Sequence, residues 1–379
     1  MRSRTLNLPP GALPRKMLDA SSAEAGRAPD LVLGFLPPED GLSDILAILA
    51  EAWPASLRFG CEAVTQFADC DMTTRGSLQL FWFDHPGHYA LVEVVTGSHD
   101  EPPAPEVVAD LAERLSASDG ALLIVDGLRF PAERFLNDLR GRLPEGRTPL
   151  VAGGLASQEL PVAGIGARVF FQERIYSAAC LAVAFHGVQM RVEVVRGWSP
   201  ASPVYTVTRA EDNVVHEIDG EAAVEWYRRF FTVAGELAPM PDTAWRFPLI
   251  IEGPAPERQG LYRSMRAFDD PPGAVTYWGN VHAGDRVRLG MGNDRSLVRT
   301  ASQLTAGQVP EAAILYSCIG RELVLGGMAP EEASCIHRAL GGVALSGFFT
   351  FGEIGPTPRG GLAFYNQTAI LVLLSEERA

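Results

Sequence analysis

Leu345-Ser346-Gly347-Phe348-Phe349-Thr350-Phe351-Gly352-Glu353-Ile354-Gly355-Pro356 gathers aromatics, glycines and one carboxylate into a single short stretch. That mixture suits neither an ordinary strand nor a solvated loop. Its first residues close a strand–helix–strand pattern made of the apolar run Ala312–Cys318, a helix from Pro330 to Leu340, and Val343–Gly347. The same order occurs upstream in Ala121–Val125, Pro131–Leu143 and Pro149–Gly154, and before that in Leu31–Phe35, a helix carrying Leu42, Ile45, Leu46 and Leu49, and Leu57–Glu62. Three copies, each spanning about 30–35 residues, mark a repeated unit that buries a strand pair beneath a helix. Each second strand is expected to end at a glycine (Gly60, Gly153, Gly347), where backbone can approach a ligand or another strand closely.

Strand-like stretches at Ser77–Phe83, Tyr89–Val95, Ala167–Phe171, Ala178–Phe185 and Met190–Val195 lie between the units, and a hairpin is expected to turn at His186-Gly187. Residues 1–29, with Pro9-Pro10 and Pro14 and little periodicity, read as a mobile arm. Residues 239–258 hold several prolines and read as a long connection or lid. The expected fold is α/β, with mixed sheets layered with helices in two closely packed halves, 30–205 and 206–376.

The 379 residues are 47% hydrophobic and 21% charged, a globular composition. The net charge of −14, from 46 acids against 32 bases, disfavours a phosphate-backbone partner, so no nucleic acid is expected. No apolar run suits a membrane helix or a secretory signal, so no membrane insertion is expected. The five cysteines form no CxxC pair, which favours reduced thiols and a cytoplasmic location.

Gly60-Cys61-Glu62, Gly153-Gly154-Leu155-Ala156, Gly197-Trp198-Ser199-Pro200, Tyr205 to Ala210, Ser317 to Arg321, Gly347 to Gly355 and Asn366-Gln367-Thr368 together resemble the FIST family in order and spacing. This family is a sensory module of bacterial signal transduction that also occurs in eukaryotic F-box proteins. The resemblance covers about residues 30–375 and implies a FIST N-terminal half and a FIST C-terminal half. It further implies binding of a small, amino-acid-like or other ligand without catalysis. Haem and nitric oxide binding are associated with some members. With no output domain after the last strand, the resemblance implies signalling through a separately encoded protein such as a histidine kinase, cyclase or chemoreceptor.

The candidate ligand contacts are Trp198, Cys318, Arg321, Phe349, Glu353, Asn366 and Thr368. Arg321 offers a fork for a carboxylate or phosphate, or a structural pair with Glu322, Glu353 or another acid. Glu353, between glycine and isoleucine, offers a site for an ammonium group, and one ring of Phe348, Phe349 and Phe351 is expected to line its cavity. Trp198 suits a pocket cap. Asn366 and Thr368 are expected to share a face of the final strand, as ligand contacts or as partners of backbone groups. His186 is the candidate haem ligand, against the reading of an exposed turn residue. Cys318 with His337 would serve a thiol-dependent enzyme, against the reading of a small buried thiol. His85 and His88 flank Pro86-Gly87 in a loop and give no metal face, so no metal is expected.

Overall fold

The computed structural model describes all residues except 12, 39–40, 86, 145–148, 160–166, 254–257, 270, 303–308, 359–360 and 378–379, and leaves the side chains of 91 and 92 aside. The first repeat consists of β1 (Arg2–Asn7), α1 (Arg15–Ala25), β2 (Leu31–Leu36), α2 (Leu42–Ala52), β3 (Leu57–Glu62), a hairpin of β4 (Gln66–Ala68) and β5 (Asp71–Thr73), and β6 (Ser77–Trp82). The second follows the same order: β7 (Tyr89–Thr96), α3 (Pro105–Ser116), β8 (Gly120–Val125), α4 (Ala132–Arg142), β9 (Leu150–Leu155), the hairpin β10 (Val169–Phe171) and β11 (Arg174–Tyr176), and β12 (Ala179–Phe185).

The third repeat opens with β13 (Val188–Val195) and is then interrupted by an insertion. The insertion contains β14 (Ser199–Pro200), β15 (Tyr205–Glu211), β16 (Val214–Ile218), β17 (Glu221–Ala222), α5 (Ala223–Phe231), β18 (Thr232–Val233) and β19 (Glu236–Leu237). A 3-10 turn (Thr243–Arg246) leads to β20 (Leu249–Ile251), β21 (Tyr262–Arg263), β22 (Met265–Asp269), β23 (Ala274–Tyr277) and β24 (Arg286–Met291). The repeat resumes with α6 (Asp294–Ser302), β25 (Ala312–Cys318), α7 (Ile319–Leu325), α8 (Ala329–Ala339), β26 (Leu345–Thr350), the hairpin β27 (Glu353–Pro356) and β28 (Leu362–Tyr365), and β29 (Ala369–Glu376).

Each repeat builds one six-stranded sheet around a parallel pair: β2–β3, β8–β9 and β25–β26. The strand pairs are all but fully buried, which is why they read as continuous apolar runs and not as alternating ones. The hairpins are exchanged in a cycle. The hairpin of the first repeat extends the third sheet, that of the second extends the first, and that of the third extends the second. No cut near residue 205 therefore separates two self-contained sheets, although the two halves are closely packed. Most strands of the insertion form a separate antiparallel sheet in the order β21-β20-β24-β15-β16-β23-β22.

Phe35 of the first sheet packs on Phe348 of the third at 4.7 Å between ring centres, and Tyr316 meets Phe348 edge-on at 5.8 Å. Aromatic packing of this kind, with about 1.5–3 kcal/mol per buried large side chain, holds the sheets together. The helices α1 and α2 cover the outer face of the first sheet through Leu18, Leu46, Leu49 and Trp53.

The structure corrects five expectations. Residues 1–29 do not form a free arm, because β1 pairs along its full length with β6 and Leu18 of α1 is fully buried. His186-Gly187 does not turn a hairpin. β12 stays in the second sheet while β13 crosses to pair with β29 in the third. The repeat glycines lie inside their strands, not at their ends, and each is opposed by its parallel neighbour: a Cβ on Gly60, Gly153 or Gly347 would meet the carbonyl oxygen of Gly34, Leu123 or Leu315 at 1.8, 1.8 and 1.9 Å. They serve strand approach in three separate sheets and do not converge on a ligand. Asn366 and Thr368 precede the final strand, in a turn where Gln367 adopts φ 59°. Residues 239–258, expected as a connection or lid, hold the 3-10 turn and β20, with 254–257 outside the described residues.

Candidate functional site

The carboxyl ends of β8, β25 and β26 point toward the insertion, the end of a parallel pair where α/β folds place their ligands. A cavity of about 650 Å³ opens there. Its floor is Cys318, the last residue of β25, with Ile319 and Gly320 of α7, and its walls include Trp245 and Ser264 of the insertion, Phe351 and Asn366. A second cavity of about 530 Å³ adjoins it and is lined by Gly127, Glu133, Asn213 and Asn280 among others. Leu128, Arg266, Trp278 and Phe351 line both, so they form the partition between two lobes of one cleft. Within the partition the guanidinium of Arg266 lies 4.8 Å from the Trp278 ring centre, and Trp278 stacks on Phe351 at 6.0 Å and 19°.

The insertion is fastened over this cleft by buried charge. Arg263, fully buried, donates to Glu133 of α4 at 2.9 Å, and the backbone N–H of Asn280 donates to the same carboxylate at 2.5 Å. Burial lowers the Arg263 pKa, and Glu133 is the chief group opposing that shift. Arg263 also donates to the carbonyl of Phe364 at 3.2 Å, which ties the insertion to β28.

The turn Asn366-Gln367-Thr368 is held on every side. Trp198 Nε1 donates to the Gln367 carbonyl at 2.7 Å, and Gln367 Nε2 donates to the Trp245 carbonyl at 3.1 Å and to Ser264 Oγ at 3.0 Å. Asn366 Nδ2 donates to the Tyr365 carbonyl at 3.0 Å, which fixes the orientation of its amide. Asn366 Oδ1 accepts no hydrogen bond among the described residues although the side chain is 1% exposed.

Glu353 is fully buried behind the cavity floor. Thr350 Oγ1 donates to its Oε1 at 2.7 Å, and Thr368 donates to Oε2 through Oγ1 at 2.7 Å and N–H at 3.1 Å. Burial outweighs these donors and pushes the carboxyl up to about 8. Burial likewise pushes the Cys318 thiol well above its ordinary value, with the adjacent Glu353 adding to it.

Of the residues expected to meet a ligand, the cavity gathers Cys318 and Asn366. Thr368 faces Glu353, and both lie behind the wall. Arg321 is buried and closed on Glu332, with Nε 2.9 Å from Oε1, while Ser317 Oγ donates to the other carboxylate oxygen at 2.6 Å. The acid that Arg321 pairs with is thus Glu332, in place of Glu322 or Glu353. Phe349 packs on Phe67 in the core at 4.8 Å, so Phe351 is the ring that lines the cleft. Trp198 is a core residue whose N–H is spent on Gln367. His186 follows Phe185, which pairs with Gly120 at the start of β8, while Gly127 and Leu128 lie beyond its other end. A strand of this length places His186 roughly 20 Å from the cleft. His337 Nε2 lies 3.9 Å from Asp69, a partner other than Cys318. Sequence reasoning missed Trp245, Ser264, Arg266 and Trp278. Two tryptophans in a proline-rich, polar segment were the available signal.

Three interlocked α/β repeats roofed by an antiparallel insertion, with a ligand-sized cleft between, define a two-part α/β module. Residues 30–221 match the FIST N domain and residues 223–356 the FIST C domain, and the chain belongs to the FIST family. FIST domains are sensory modules of signalling proteins. The chain is 28% identical over 269 residues to an uncharacterized protein of Mycobacterium tuberculosis, covering 68% of each chain. It is 26% identical over 319 residues to an uncharacterized protein of Mycobacterium bovis, covering 75% of this chain and 81% of the other. Among the described residues, no helix is long and apolar enough to cross a membrane.

Proposed function

We propose that this chain is a cytoplasmic sensor that binds a small molecule in the larger lobe of the cleft and signals through a separate protein of the histidine kinase, cyclase or chemoreceptor kind. The observation that carries the reading is the cavity of about 650 Å³. Its size is that of small-molecule sites, and an aromatic and apolar wall carrying a few polar side chains, here Asp242, Ser264, Arg266 and Asn366, is the usual makeup of such sites. Leu128 comes from the second repeat, Cys318 and Phe351 from the third, and Trp245 from the insertion. A ligand there touches all three parts and favours whichever arrangement of them it fits best. That arrangement is what a partner reads.

Thermal-shift screening of the full chain with amino acids, small carboxylates and haem tests this. A ligand at 100 times its Kd adds about 2.7 kcal/mol of stability, a rise of several degrees in Tm. No stabilisation by any class would sink the reading.

A further inference from the structure

We infer that the ligand of the larger lobe is a flat aromatic acid with an N–H or O–H donor on its ring system. The inference rests on the sensory reading of that cavity and specifies its occupant. Three features of the wall complement such a molecule.

The first is Arg266. It is exposed on β22, at the edge of its sheet, and no carboxylate among the described residues pairs with it. Three other arginines of the insertion are engaged: Arg258 with Asp285, Arg263 with Glu133 and Arg288 with Glu252. Asp242 also lines this lobe but forms no ion pair with Arg266 among the described residues, which leaves the guanidinium fork open to an anion. Its stacking on Trp278 limits the rotamers it would lose on binding.

The second feature is the aromatic wall. Trp278 and Phe351 are nearly parallel, at 19°, and Trp245 borders the same cavity. Flat rings present large apolar faces that a planar ligand covers better than a branched one does. The third is the polar end. Asn366 Oδ1 is an acceptor without a donor, held in place by the bond from Nδ2 to Tyr365. Leaving a buried acceptor unmatched costs stability, and a donor carried by the ligand removes that cost. Ser264 Oγ accepts from Gln367 and keeps its own proton to offer.

Isothermal titration of the full chain with indole-3-acetate, naphthalene-1-acetate and 3-methylindole separates these contributions. The second probe lacks the N–H and the third lacks the carboxylate. Indole-3-acetate is expected to bind tightest, with naphthalene-1-acetate about fivefold to tenfold weaker and 3-methylindole about tenfold to a hundredfold weaker. Arg266→Met should weaken both acids by the larger factor and leave 3-methylindole unchanged. Since Arg266 is exposed, this variant folds. Asn366→Ala should abolish the preference for indole-3-acetate over naphthalene-1-acetate, and the wild-type ranking supplies the same test should that variant not fold. Equal affinity for the three probes, unchanged acid binding in Arg266→Met, or equal binding of hexanoate overturns the inference. If amino acids or aliphatic carboxylates stabilise the protein while indole-3-acetate does not, the ligand class falls and the sensory reading stands. If nothing stabilises it, both fall.

Discussion

Arg321 Nε lies 2.9 Å from Glu332 Oε1, and both side chains are fully buried between α7 and α8. An arginine that could have served a ligand is instead a structural element of the third repeat, with Ser317 completing the site. Removing one partner leaves the other charge buried and alone. Arg321→Met or Glu332→Gln should each cost about 3–5 kcal/mol in urea unfolding. The double variant Arg321→Met/Glu332→Leu should recover most of that loss, since well-packed apolar replacements of buried ion pairs are often neutral. A double variant as unstable as the singles would show that the pair does more than satisfy itself.

Glu353 gives the protein an unusual pH dependence. Its folded pKa of about 8 lies above the ordinary value of 4.5, so between these limits the folded state binds more protons than the unfolded one. Stability from this group is present in full below the unfolded pKa and is lost as pH rises through the folded one. The slope should be on the order of 1 kcal/mol per pH unit between about pH 5 and pH 8. Urea unfolding of the wild type and of Glu353→Gln across that range checks it. The variant should lose the slope while keeping its stability near pH 8.

The repeat glycines make a steric prediction. Gly347 has φ 154° and its absent Cβ would overlap Leu315 O, so Gly347→Ala forces the parallel pair apart. A cost of about 1–3 kcal/mol or more is expected. Gly141 of α4 has nothing within 4 Å of its Cβ position, and Gly141→Ala should stabilise by about 0.5 kcal/mol through helix propensity. Thermal unfolding of the two variants should therefore move in opposite directions.

The thiols rank by exposure. Cys70 is exposed, whereas Cys318 is 4% exposed and holds its proton more tightly than a free thiol. Iodoacetamide at pH 8 should label Cys70 within the native state and Cys318 only as the chain unfolds. Peptide mass spectrometry over a labelling time course reads this directly. Fast native labelling of Cys318 would revive a thiol-dependent reaction.

Local chemistry by itself determined the three strand–helix–strand repeats, because buried parallel strands need uninterrupted apolar runs and the glycines must sit where two backbones meet. The same local signals carried the family resemblance that the domain matches bear out. They did not carry the cyclic exchange of hairpins, since β4, β10 and β27 are short strands whose pairing partners lie far away in the chain. Nor did they say which face each polar residue would take. Trp198, Arg321, Phe349 and Glu353 have the right chemistry for a ligand, yet tertiary packing turned each toward a protein partner. The cleft went instead to Arg266, Trp278 and Trp245, which the insertion brings over the ends of β8, β25 and β26. A sequence specifies what a side chain can bind. Only the closing of one segment over another decides which side chains are left with something to bind.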